Sequence, residues 1–166
     1  MPALTDVKKS LQGLMHWVSG GDAAVEQATV NRRVCVQFPS GIPVTSGTVP
    51  EFPIYQDGRL PGGAVVTAVK YVPSAGLTAN STNYATLTLG SRTSAGGSLT
   101  AVATANTKLS GAGGTGDWSA FSPVSIAVTA ANATVPANGM LTVTAVKSGT
   151  GVDIPSGALV IEYQEL

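Results

Sequence analysis

The side chains able to do chemistry are few and scattered. His16 is the only histidine, set beside Trp17 in "GLMHWV" with no acid pair near it. A nucleophilic triad would need a hydroxyl or thiol and an orienting carboxylate around that imidazole. The run "GAGGTGDW" at 111–118 has the glycines of a phosphate-cradling loop. It lacks the Lys-Ser/Thr that must follow and any strand-to-helix setting, so it reads as a turn between strands. Asp117 and Asp153 stand singly, whereas a calcium cage needs several oxygen ligands close together. Glu162 and Glu165 close the last apolar run and read as its solvated face. Trp118 and Tyr84 would suit a sugar-stacking platform, but packing in a core or an interface is the preferred reading. Cys35 is the single cysteine, which rules out an intrachain disulfide and a cysteine metal cluster. Between Val34 and Val36 it reads as a buried apolar thiol. The expectation is a non-enzyme with no cofactor and no metal.

Composition points the same way. Of the 166 residues, 43% are hydrophobic, enough to bury a core, and only 11% are charged, against roughly a quarter in ordinary domains. Nine basic and nine acidic side chains cancel, and no basic stripe exists to neutralise a phosphate backbone. Nucleic acid is therefore not an expected partner. No run of about 18 apolar residues is present to span a membrane, and the N-terminus, with Asp6 among its first residues, does not read as a signal peptide. A surface this neutral repels its own copies weakly and favours association.

The few reactive groups must be carried on elements, and these change character near residue 60. In "LTDVKKSLQGLMHWVSGG", Leu4, Val7, Leu11, Leu14, Met15 and Val18 recur at three- and four-residue steps, as on one face of a helix. Thr5 or Asp6 can cap its start, and Ser19-Gly20-Gly21 stops it. A helix this short is marginal alone in water, so the stripe must dock, on its own domain or on a partner chain. Residues 22–60 read as an extended connector with one strand in "TVNRRVCVQF". Pro39, Pro43, Pro50, Pro53 and Pro61 then bar a helix or a central strand. Phe38, Ile42, Phe52, Ile54 and Tyr55 make that segment a strap lying on something apolar, with a flexible linker as the alternative. The partner-binding anchor is placed on Leu4, Val7, Leu11, Leu14, Met15, Trp17, Val18, Phe52, Ile54 and Tyr55.

From residue 61 onward, runs of Val, Thr, Leu and Ile alternate with turn clusters. Strands are expected near 64–72, 83–91, 98–105, 122–130, 139–147 and 157–165. That rhythm predicts an all-β domain, a β-sandwich, behind an N-terminal amphipathic helix and a Pro-rich arm. In "YATLTLG", Leu87 and Leu89 face one way and Thr86 and Thr88 the other. "GMLTVTAVKSG" sets Leu141, Val143 and Ala145 against Thr142, Thr144 and Val146. Threonine, rather than Lys or Glu, fills the outward positions, and sheets with so few charged guards are expected to be covered by neighbours.

Two stretches carry a resemblance. "VVTAVKYVPSAGLTANSTNYATLTLG" and "VPANGMLTVTAVKSGTGVDIPSGALVIEY", with its Ala137-Asn138-Gly139-Met140-Leu141 strand entry and the turn from Gly149 to Gly157, resemble small β-sandwich virion proteins of tailed bacteriophages. The decoration, or cement, proteins are the family named by that likeness, which covers residues 64–166. It implies a jelly-roll-like form of the sandwich and a homotrimer on the outer surface of the capsid, bridging and stabilising major capsid proteins. Residues 1–60, outside the likeness, are expected to anchor it to the shell or wrap a neighbouring subunit. A phage tail, head-fibre or receptor-binding component, or a carbohydrate-binding module, is the alternative use of such a sandwich.

Overall fold

The computed structural model describes residues 31–44, 51–53, 62–93 and 97–166. The expected helix, with Leu4, Val7, Leu11, Leu14, Met15, Trp17 and Val18, lies outside the described residues, as do Ile54 and Tyr55.

Nine strands form one antiparallel sheet that curls into a half-barrel: β1 (Asn31–Phe38), β2 (Phe52–Pro53), β3 (Ala64–Pro73), β4 (Tyr84–Arg92), β5 (Thr100–Asn106), β6 (Val124–Val128), β7 (Thr134–Val135), β8 (Met140–Ser148) and β9 (Gly157–Glu165). The order across the sheet is β1-β9-β3-β6-β5-β4-β8-β2, with β7 beside β6 along β3. All six strands expected beyond residue 61 are present, and so is the one in "TVNRRVCVQF". The sheet also reaches back before residue 61. β1 pairs along its whole length with β9, Asn31 with Gln164 through Phe38 with Gly157, and β2 pairs Phe52 with Val143 at the opposite edge. Pro53 sits where proline is tolerated, on an edge strand.

The curl turns at β6. Val124, Ser125 and Ile126 pair with β3, while Ala127 and Val128 pair with β5, so five residues serve both halves. Inside the curl, the alternation read from the sequence becomes one core. Leu87, Leu89, Leu141, Val143 and Ala145 meet Val66, Val69, Tyr71, Leu159 and Ile161, all fully buried or nearly so. At ~1.5–3 kcal/mol for each fully buried large aliphatic side chain, this cluster is the main stabilising term.

One end of the curl is plugged by aromatic rings. Tyr71 and Trp118 lie with ring centroids 5.7 Å apart at 44°. The Tyr71 hydroxyl donates to the Pro155 carbonyl at 2.7 Å, and the Trp118 indole N–H donates to Thr115 Oγ1 at 2.7 Å. Leu77 and Trp118 exchange backbone hydrogen bonds at 3.0 and 2.9 Å. Asp117 accepts from the Ala79 amide at 2.7 Å, which gives that lone acid a structural job. Ile42 bridges to Ile154 beside it, and there Gly41 is irreplaceable. It holds φ +77, and a Cβ would meet the Ile154 carbonyl oxygen at 2.2 Å.

Candidate interaction surfaces

The strand parity that fills the core also decides what each outer face presents. On the half made by β4, β5 and β8, pairing sets Thr104, Thr88 and Thr144 in one row across three strands. Asn106, Thr86 and Val146 form the next row, and Tyr84 lies opposite Ser148. None of these eight side chains carries a formal charge. Val146, at 40% exposure, is the most open of the apolar ones. The margins are where charge appears. Lys108 sits over the Tyr84 ring, 4.4 Å from its centroid, and the Ser148 hydroxyl, then Lys108, draws the Tyr84 phenol below its usual pKa.

At the other margin the strap is latched to the sheet. Arg92 donates through Nε to Glu51 Oε2 at 2.7 Å and through a second nitrogen to Glu51 Oε1, while its remaining nitrogen reaches the Gly97 carbonyl. This two-point contact is the arrangement that best matches a planar guanidinium to a carboxylate. The Arg92 hydrogen bond holds the Glu51 carboxyl below its ordinary pKa, partly offset by burial. The Thr142 hydroxyl makes the smallest contribution, buried beside the carboxylate without a well-formed bond of its own. Leu99 closes over Gly90, where a Cβ would meet its Cδ1 at 2.5 Å. This cover explains a departure from the expected pattern at Thr142, the partner of Gly90, which points outward by parity and yet is only 1% exposed. Thr144, also outward by parity, is 6% exposed.

The outer face of β1, β9 and β3 has the opposite character. Glu162 accepts from Arg33 at 2.7 Å and lies 3.9 Å from Lys70, making a charged row across three strands. On the other parity, the side of Val34 and Tyr163, Arg32 pairs with Glu165 at 3.3 Å near the strand ends. Glu162 and Glu165 therefore hold cations rather than simply meeting water. A shallow cavity of about 310 Å³ opens here between Arg32, Arg33, Thr67, Glu162 and Gln164. Cys35 belongs to this face. The reading of a buried thiol is corrected: Cys35 is exposed because Val34 and Val36 take the inward positions, and a strand cannot turn three successive side chains inward. Gln37 Nε2 donates to its sulfur at 3.6 Å.

The loop end adds one residue that the sequence does not flag. Phe121 is 75% exposed and holds φ +59, a region bulky side chains avoid. Its amide donates to the Pro73 carbonyl at 2.7 Å, and Ser122 donates to Ser119 around it at 3.2 Å. No periodicity marks an aromatic in a turn, so only the backbone geometry reveals it. The glycine run near it forms a turn, with a 3-10 segment at Ser110–Ala112 and Gly113 in the left-handed region.

Trp118 is 3% exposed, so the Trp118–Tyr84 platform for a sugar is not assembled. Among the described residues no group of three or more His, Cys, Asp and Glu side chains could hold a metal, and His16 lies outside them. Phe52 is placed by its backbone pairing in β2, and the other anchor residues named above lie outside the described residues. Comparison with known proteins gives a short answer. No family model, curated protein or solved structure matches the chain.

Proposed function

We propose that the chain is a structural virion protein, a decoration or cement protein that binds the outer surface of a phage capsid as a homotrimer and bridges major capsid proteins. In this reading the half-barrel is a jelly-roll-like sandwich, and residues 1–60 carry the anchor to the shell. One observation supports it most: the outer face of β4, β5 and β8 is built from hydroxyls, Tyr84 and Val146 without a formal charge, while the outer face of β1, β9 and β3 keeps its ion pairs. A soluble surface ordinarily intersperses charges of both signs, and here one face carries them and the other does not.

The action is linkage. A protein that binds the assembled shell, and not free subunits, shifts the equilibrium toward the shell by RT ln(1 + [L]/Kd), about 4 kcal/mol per site at a thousandfold excess over Kd. Trimers multiply modest contacts by attaching several arms at once. The test is co-sedimentation with assembled shells. Full-length protein is expected to pellet with them, and a chain lacking residues 2–21 is expected to stay in the supernatant with its sheet intact. Equal pelleting of both would overturn the anchor.

Phe121 favours the alternative of a receptor- or carbohydrate-binding component, since it is an aromatic on an exposed loop end. That reading predicts glycan affinity lost in Phe121→Gly and no retention on shells.

A further inference from the structure

We infer that the uncharged face of β4, β5 and β8 is where copies of this chain meet one another, the occupant being a second copy rather than the shell. This rests on the reading above, that protein covers the face, and names the partner.

Three observations favour a copy. First, hydroxyls both donate and accept, so a face of Thr86, Thr88, Thr104 and Ser148 can satisfy the same face of a second molecule, with no matched set of donors needed from a different protein. Second, contacts about a symmetry axis bring like residues close together, which penalises any unpaired charge. These rows contain none, whereas the row Arg33–Glu162–Lys70 would bring like charges together. Third, the whole chain has nine basic and nine acidic side chains, so copies approach without long-range repulsion.

Size sets the expected strength. Three strands ~4.8 Å apart over five residues of ~3.4 Å rise give a face of about 240 Å². A standard interface takes about 800 Å² from each partner. The face alone therefore gives weak, concentration-dependent association, and a stable oligomer draws on further contacts.

The experiment is sedimentation equilibrium of the full chain, without shells, up to about 1 mM. Wild-type protein is expected to show multiples of 16.6 kDa. Val146→Lys, the most exposed apolar position of the face, is expected to move the association midpoint at least tenfold higher. Mixing it with Val146→Glu copies is expected to restore association by pairing unlike charges. Gln37→Lys, on the charged face, is expected to associate like wild type and controls for added net charge. A wild-type monomer throughout the range would overturn the proposal. So would Val146→Lys associating as wild type, or Gln37→Lys weakening association equally. Shell binding does not enter, so its failure leaves this result standing, and self-association without shell binding would overturn the anchor alone.

Discussion

The hydroxyl of Tyr71, with no surface exposed, donates to the carbonyl of Pro155 across 84 positions of sequence. The bond ties β3 to the loop that leads into β9 and closes the aromatic end of the curl. Burial pushes the Tyr71 pKa up to about 12. The folded protein thus keeps a proton that the unfolded chain releases near pH 10. The stability linked to this group is complete below pH 10 and is lost as pH rises through about 12, by roughly 3 kcal/mol. Tyr71→Phe is expected to remove that alkaline slope. At pH 7 it is expected to cost about 1 kcal/mol, because the Pro155 carbonyl loses its donor. Urea titrations at pH 7 and pH 11 measure both effects.

The latch between Glu51 and Arg92 titrates at the other end of the scale. The guanidinium holds the carboxyl below its ordinary value, so its contribution is present above about pH 4.3 and disappears as pH falls through the lower folded value. Glu51→Gln is expected to flatten the acid limb of stability below the ordinary carboxylate range. It is also expected to speed hydrogen exchange in β2, which pairs with the sheet through only two residues. A mutant with wild-type acid sensitivity and unchanged exchange at Phe52 would count against the latch.

Phe121→Gly is expected to stabilise the protein. A left-handed backbone costs an L side chain about 1–2 kcal/mol, and an aromatic ring that is 75% exposed returns little burial. Allowing for the greater freedom of glycine in the unfolded chain, the net gain is about 1 kcal/mol, or roughly 2–4 °C in Tm. Phe121→Ala keeps the same φ and gains nothing. A fall in Tm for the glycine variant would show that the ring packs within the molecule.

Adjacent residues of β4 give the sharpest contrast between inside and outside. Leu87 is fully buried at the centre of the core, and Leu87→Ala is expected to cost 2–5 kcal/mol in chemical denaturation. Thr86 faces outward among partly exposed hydroxyls, and Thr86→Ala is expected to cost less than about 0.5 kcal/mol. Equal costs would mean that the outer face is already buried within the chain.

Local pattern made β4, β8 and β9 readable in the sequence, because alternation needs only nearest neighbours and the turns between them are rich in Gly, Asn and Pro. Cys35 was misread by its apolar neighbours when parity was the stronger rule. Thr142 keeps its outward direction but not its exposure, since the cover comes from Leu99 and the Arg92–Glu51 pair, and contacts between distant segments leave no periodic trace. Ion pairs such as Arg33–Glu162 were hidden for the same reason, being 129 positions apart. Of the candidate surfaces, the hydroxyl rows were legible as outward threonines, and their alignment across three strands was not. The anchor residues Leu4 to Val18, with Ile54 and Tyr55, lie outside the described residues, and Phe52, the one member described, falls in a strand.

The position of β9 between β1 and β3 bears on how the protein is made. A ribosome delivers β1 and β3 long before residues 157–165, the strand that separates them. Until then, β1 has its neighbour still unsynthesised, and β3 has one of its two sides open. Nascent chains stalled short of residue 157 should therefore stick to one another or to chaperones, and the arrival of β9 decides whether the earlier strands are safe.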